Sequence, residues 1–113
     1  MACLLNVDGT YKYMPMADVD YREAVGGYIT LLPKRQAAAT TTAYADDEGL
    51  LKDLPSNAWS AFLHDIGYHM EWAYGGVRGP VLLVGSQTKT GADRVLPKKM
   101  LEQVKAFYDQ EMK

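Results

Sequence analysis

The side chains best suited to metal chemistry are two histidines and two carboxylates close together in sequence, His64-Asp65 followed by His69 and Glu71. Imidazole and carboxylate groups together suit several divalent metals. A metal-dependent phosphohydrolase with such a pair normally has further histidines, whereas these two are all that the chain contains. We therefore interpret the four residues as surface positions near a helix end and expect no metal and no cofactor. A metal-dependent phosphohydrolase is kept as a second alternative.

An acidic run, Asp46-Asp47-Glu48, precedes Gly49 and supplies the oxygen ligands that Ca²⁺ and Mg²⁺ prefer. The spacing of an EF-hand loop is absent, and acidic turns that end in glycine are common between strands. The run therefore predicts a turn, and the sequence does not decide whether that turn also has a function. Complete serine-nucleophile and phosphate-loop patterns are absent, so no catalytic residue is assigned.

Four basic residues cluster before and at the start of the last predicted helix: Lys89, Arg94, Lys98 and Lys99. Lys98 and Lys99 fall in its first turn, where the helix dipole disfavours cations. Together with backbone donors at the helix start, these residues could bind a small anionic ligand. The corresponding function is a small-molecule binder that sequesters a nucleotide signal. A solvated basic turn is the simpler interpretation of the same residues, because surface electrostatic costs of this size are easily tolerated.

Aromatic residues alternate with other types between Tyr68 and Arg78, and Trp72 and Tyr74 are among them. A period of two predicts an extended arm. Tyr68, Trp72, Tyr74 and Arg78 are of the residue types enriched in interaction hot spots, and they can also stack on nucleobases. The arm is therefore a candidate partner-binding surface. Packing of the same residues on the sheet as core is the alternative interpretation.

Length and composition indicate a single domain over residues 1–113, because a chain of this size can bury a core without disulfides or metals. The only cysteine, Cys3, cannot form an internal bridge, and no apolar run approaches a membrane span. A net charge of −2 argues against a nucleic-acid partner. We expect a cytoplasmic protein without membrane association, and a homo-oligomer is compatible with these features.

Turn residues and hydrophobic periodicity predict the elements in chain order. The N-terminal hairpin turns at Asp8-Gly9. The other predicted strands are Tyr28 to Leu32, Ala37 to Ala45, Leu50-Leu51, and the wholly apolar, central Pro80 to Val84. The predicted helices are Asp20 to Val25, Ala58 to Ile66 and Lys98 to Glu111. The predicted fold class is α+β, with a mostly antiparallel sheet of four to six strands, two longer helices and one short helix.

Four blocks of residues follow one another along the chain in a characteristic order: Val25-Gly26-Gly27-Tyr28-Ile29, Asp46-Asp47-Glu48-Gly49-Leu50, Leu54-Pro55-Ser56-Asn57 and Gly79-Pro80-Val81-Leu82-Leu83-Val84. In this order the chain resembles the family called domain of unknown function 3846, a small domain of bacteria, phages and plasmids. Asp46 stands where that family usually has Asn, and the segment from Tyr68 to Arg78 is longer than usual. The resemblance implies a phage or mobile-element setting and supplies no catalytic residue.

The leading functional hypothesis is therefore a non-enzymatic phage or mobile-element accessory protein that binds a host protein, in host takeover or counter-defence. The contact surface would be the arm from Tyr68 to Arg78. Each block of the resemblance also has a sufficient architectural explanation, since turn and cap residues account for it.

Overall fold

The computed structural model describes residues 1–113. The fold is built around one antiparallel sheet of five strands. The strand order across the sheet is β2-β1-β5-β4-β3, and every neighbouring pair is antiparallel. The strands are β1 (Ala2–Leu5), β2 (Tyr11–Met14), β3 (Ile29–Leu31), β4 (Thr41–Asp46) and β5 (Val81–Gly85). The predicted α+β class with an antiparallel sheet is confirmed.

Strand β5 lies at the centre of the sheet because its residues are apolar on both sides. All five of its residues are buried, and it pairs with β1 on one edge and β4 on the other. This is the arrangement that a continuous apolar run predicts. The N-terminal hairpin of β1 and β2 is also as predicted.

Two longer helices and one short helix complete the fold: α1 (Tyr21–Val25), α2 (Ser60–Ile66) and α3 (Lys98–Phe107), which continues in a π-helical turn over Tyr108–Met112. The carboxylate of Asp20 accepts the backbone N–H of Glu23 at 3.1 Å, which is the predicted cap of α1. Gly26 ends this helix with φ 87°, a left-handed conformation that glycine adopts without strain. No helix combines the length and apolar character needed to cross a membrane.

The two faces of the sheet carry separate apolar clusters. Helices α2 and α3 pack on one face, which we call the helical face, where Trp59 is fully buried among Tyr11, Phe62 and Phe107. Helix α1 packs its buried Val25 on the opposite face. Successive buried residues of the central strands, such as Leu82 and Leu83 of β5, therefore belong to different clusters, as the strand period of two requires.

Three predictions of local structure are wrong. The segment from Tyr68 to Arg78 is not an extended arm, because residues Trp72–Tyr74 form a 3-10 helix. Leu50-Leu51 is part of a turn and does not form a strand. The predicted strand from Ala37 begins only at Thr41, since Gln36–Ala38 also forms a 3-10 helix.

Candidate functional site

A cleft of about 250 Å³ opens on the helical face beside strand β3. Thr30 and Leu32 of the β3 segment and Ala45 of β4 line it from the sheet. One wall is the acidic turn that follows β4, and the other is the segment containing the 3-10 helix Trp72–Tyr74. The lining residues of these walls are Asp46, Asp47, Gly49 and Leu50 on one side and Glu71, Tyr74, Gly76, Val77 and Arg78 on the other.

The acidic turn is closed by the buried side chain of Asp46. One carboxylate oxygen accepts the Lys52 ammonium at 2.8 Å, and the other accepts the backbone N–H of Glu48 at 2.9 Å. Burial by itself would raise the pKa of Asp46, but the Lys52 ammonium and the Glu48 N–H outweigh it and hold that pKa below its usual value. Asp46 is therefore a structural carboxylate, which leaves Asp47 and Glu48 as the exposed acids of the turn.

Gly49 brings the acidic turn close to the opposite wall. A Cβ atom at this position would lie 2.8 Å from the carbonyl oxygen of Arg78, which is closer than real Cβ contacts. The sequence suggests a glycine with positive φ here, but the left-handed residue of the turn is Asp53, at φ 54°. Close approach to Arg78 is thus the reason for glycine at this position.

Arg78 joins the two walls of the cleft. Its Nε donates to the carbonyl of Tyr74 and its Nη1 donates to the carbonyl of Leu54, both at 2.9 Å. Nη1 also lies 3.6 Å from the carboxylate of Asp53. The backbone of Arg78 forms an antiparallel bridge with Ser56. Two of its donors are engaged within the chain, and Nη2 forms no hydrogen bond.

Large apolar side chains are exposed on both walls. The exposed fractions are 50% for Leu50 and 86% for Leu51 in the acidic turn, and 53% for Trp72 and 52% for Tyr74 in the 3-10 helix. Leu50 and Tyr74 line the cleft itself. The Trp72 ring packs edge-on against His64 at 5.7 Å between centroids, which orients it without burying it. We call these four residues the apolar rim.

Charge around the cleft is predominantly negative. Asp47 and Glu71 line it and are exposed, while Asp46 is neutralised by Lys52. The one cation in its lining is Arg78, whose guanidinium already contacts two carbonyl oxygens and lies near Asp53. The cleft therefore favours a ligand that carries positive charge together with apolar groups.

Two of the four predicted partner-binding residues, Tyr74 and Arg78, line this cleft. Trp72 lies beside it in the 3-10 helix, and the fourth residue is not at the cleft. Tyr68 is fully buried on the helical face, where its hydroxyl shares a hydrogen bond of 2.7 Å with Thr41. Burial raises the pKa of the Tyr68 phenol to about 12, although the bond to Thr41 opposes this effect. Tyr68 is therefore a core residue, and the prediction that it belongs to the partner-binding surface is wrong.

The predicted basic group does not share one pocket. Lys99 lines a separate cavity of about 430 Å³ that also contains Asp65, and Lys89, Arg94 and Lys98 do not line it. Arg94 instead donates to Ser86 and to the carbonyl of Gln87 within its own loop. That loop is anchored by Asp93, which accepts the hydroxyl groups of Tyr21 and Tyr44.

The histidine and carboxylate residues near the end of α2 include one close pair. His64 Nδ1 lies 3.9 Å from the Asp65 carboxylate, and both side chains are substantially exposed. No group of three or more histidine, cysteine or carboxylate side chains is arranged to hold a metal ion.

Sequence patterns did not identify Leu50 and Leu51 as site residues, and they singled out Glu71 only as a candidate metal ligand. The available signal was a pair of leucines directly after an acidic glycine turn, since large apolar residues in a turn have no strand face to pack on.

Comparison of the chain with protein-family models, with curated proteins and with solved structures finds no match.

Proposed function

We propose that this protein is a non-enzymatic binding protein that holds a segment of a partner protein in the cleft between the acidic turn and the 3-10 helix. The observation that carries the proposal is the apolar rim. Its four large side chains, Leu50, Leu51, Trp72 and Tyr74, are each at least half exposed and come from two segments that line the same cleft. Single exposed apolar residues are ordinary, but several on the two walls of one concavity mark a candidate interaction site.

The residue types of the rim support a protein partner. Trp and Tyr supply large contact areas at a small entropic cost and dominate interaction hot spots. The positions of both aromatic residues are defined, because their segment is a hydrogen-bonded turn in which Tyr74 and Gly75 donate to Glu71 and Trp72. A preorganised surface of this kind loses less conformational entropy on binding.

The charges of the cleft define the chemistry of the partner segment. Asp47 and Glu71 are exposed acids at the cleft, and Glu48 lies beside them in the turn. A segment that combines apolar residues with lysine or arginine would complement both the rim and these carboxylates. An acidic segment would be repelled, which gives the surface selectivity.

The resemblance to domain of unknown function 3846 supports a phage or mobile-element origin. In that setting the partner is a protein of the host cell, and the proposed function is that of an accessory protein for host takeover or counter-defence. The proposed site of action is the host cytoplasm.

The proposal is tested by native mass spectrometry of the protein purified gently from cells of its natural host. A retained host polypeptide is identified, and its affinity is then measured for the wild type and for the Trp72→Ala, Tyr74→Ala double variant. We expect the double variant to bind at least about tenfold more weakly, because hot-spot aromatics contribute more than about 1 kcal/mol each.

The matched control is Val95→Ala, which removes a side chain that is 59% exposed but belongs to neither wall of the cleft. This variant should bind as the wild type does. Equal affinities for the double variant and the wild type, in two folded proteins, would exclude the apolar rim as the contact surface.

A further inference from the structure

The outer edge of strand β3 presents unpaired backbone groups. The backbone N–H of Leu32 donates to the carbonyl of Ala43 in β4. At the other end of β3, the carbonyl of Tyr28 accepts the N–H of Asp47. Between these two pairs, Thr30 lies opposite Ala45. In an antiparallel ladder only alternate residues face the neighbouring strand. The N–H and C=O groups of Ile29 and Leu31 therefore point away from β4, and no other segment of the chain bonds to them.

The chain already fills the neighbouring strand position at one end of β3. Residues 67–69 run antiparallel to residues 33–35, with Arg35 donating to Gly67 at 2.7 Å and His69 donating to Pro33 at 2.9 Å. This short pairing lies on the same outer edge as Ile29 and Leu31. The chain then leaves the edge, because it enters the 3-10 helix Trp72–Tyr74. Residues 67–69 thus occupy the start of a sixth strand position, and the part of that position beside Ile29 and Leu31 is empty.

Side chains on β3 divide between the two faces of the sheet. Ile29 and Leu31, which are 40% and 51% exposed, point to the face that carries α1. Thr30 points to the helical face and lines the cleft together with Glu71. A strand added at this edge would follow the same alternation, since directly opposite residues share a face.

We propose that the partner segment binds as an added β-strand at the outer edge of β3. This inference rests on the proposed function and specifies the form of the partner, an extended segment with the pattern apolar-basic-apolar. Its two apolar side chains pack beside Ile29 and Leu31, and the basic side chain between them, opposite Thr30, enters the acidic cleft. Main-chain hydrogen bonds supply affinity in this mode of recognition, and alternate side chains supply specificity.

A synthetic peptide with the sequence Ser-Gly-Val-Lys-Val-Gly-Ser tests the proposal directly. It is titrated up to about 1 mM into ¹⁵N-labelled protein while backbone amide signals are followed by NMR. We expect saturable downfield shifts and slower solvent exchange for the amides of Ile29 and Leu31. The peptide Ser-Gly-Val-Glu-Val-Gly-Ser should bind at least about fivefold more weakly, because it places a carboxylate beside Glu71.

The variant Leu31→Pro removes one outward N–H group at a position where an edge strand tolerates proline. It should lower the peptide affinity at least about tenfold, whereas Leu31→Val, which keeps the N–H group, should lower it only slightly. If Leu31→Pro does not fold, a peptide N-methylated at both valines provides the same comparison against the wild type. Undiminished affinity in these comparisons overturns the proposal.

The outcomes separate this inference from the proposed function. Amide shifts confined to the apolar rim would overturn strand addition and leave the partner surface supported. The absence of any saturable shift at Ile29 and Leu31 also overturns it. Concentration-dependent protection of the same amides in the protein alone would assign the edge to a second copy of the chain, which again contradicts the proposal. Loss of binding to the natural partner in the rim variant, with retention in Leu31→Pro, supports the function and overturns strand addition.

Discussion

The guanidinium of Arg78 donates to the carbonyl oxygen of Leu54 at 2.9 Å and so ties one wall of the cleft to the other. A second bond, from Nε to the carbonyl of Tyr74, fixes the 3-10 helix in the same way. Arg78 therefore shapes the proposed binding surface in addition to lining it.

Replacement of Arg78 by alanine should lower the free energy of unfolding by about 1–3 kcal/mol, because two carbonyl oxygens lose a charged donor. Arg78→Lys should restore little of this, since a single ammonium does not reproduce the planar fork that contacts two acceptors. Urea unfolding of the three proteins measures the effect. A lysine variant as stable as the wild type would show that the geometry of the guanidinium is unimportant.

The ion pair between Asp46 and Lys52 predicts a specific pH dependence. Because the pKa of Asp46 is lowered in the folded protein, its contribution to stability is present above the ordinary aspartate pKa of about 3.9 and is lost as the pH falls through the lower, folded value. Asp46→Asn should therefore be less stable than the wild type at neutral pH, and its stability should fall less between neutral pH and about pH 3.

Urea midpoints across this pH range provide the measurement. The control is Asp47→Asn, which alters an exposed carboxylate that accepts no hydrogen bond in the structure. It should follow the wild-type profile. Parallel profiles for Asp46→Asn and the wild type would contradict the role assigned to Asp46.

Asn57 joins three parts of the fold through one buried amide. Its Nδ2 donates to the carbonyls of Leu5 and Gly79, both at 2.9 Å, and its Oδ1 accepts the N–H of Trp59 at 2.8 Å. Asn57→Ala should destabilise the protein by about 2–4 kcal/mol, since it leaves three buried backbone groups without this partner. Asn57→Asp should be at least as damaging, because a carboxylate would face two carbonyl oxygens.

Thermal or urea unfolding compares these variants with Ser56→Ala. Ser56 is exposed and its hydroxyl forms no hydrogen bond, so the change in its variant should stay within about 0.5 kcal/mol. A similar small change for Asn57→Ala would mean that the three bonds contribute nothing net.

The hydrogen bond between Tyr68 and Thr41 predicts a modest effect on stability and none on binding. Tyr68→Phe keeps the buried ring and loses the hydroxyl, which should cost about 1 kcal/mol. Thr41 retains its own bond to the carbonyl of Ala38 at 3.3 Å. Affinity for the partner should be unchanged, because Tyr68 is buried beneath the surface. Weaker partner binding by a stable Tyr68→Phe variant would contradict its placement in the core.

Much of the fold follows from local signals in the sequence. The cap at Asp20, the left-handed Gly26 and the apolar run of β5 each specify their structure without help from distant residues. The alternation from Tyr68 to Tyr74 predicts an extended arm, but only its beginning is extended. Residues 67–69 pair as a short strand, and the chain then turns into a 3-10 helix.

The candidate site was harder to predict because it depends on two turns meeting in space. Trp72, Tyr74 and Arg78 were identified from their types, but the pairing of Ser56 with Arg78 that brings the acidic turn beside them is a long-range contact. Leu50 is recognisable as part of the surface only after that contact is known.

The most direct test of the central claim is photo-crosslinking in cells of the natural host, with p-benzoylphenylalanine placed at position 74 in one protein and at position 95 in another. Both positions are exposed, but only Tyr74 lies on the cleft. We predict a discrete crosslinked polypeptide from position 74 that is missing from position 95 and that disappears when Leu50→Asp is added. Identical products from the two positions, or a product from position 74 that Leu50→Asp leaves unchanged, would contradict a partner-binding role for the apolar rim.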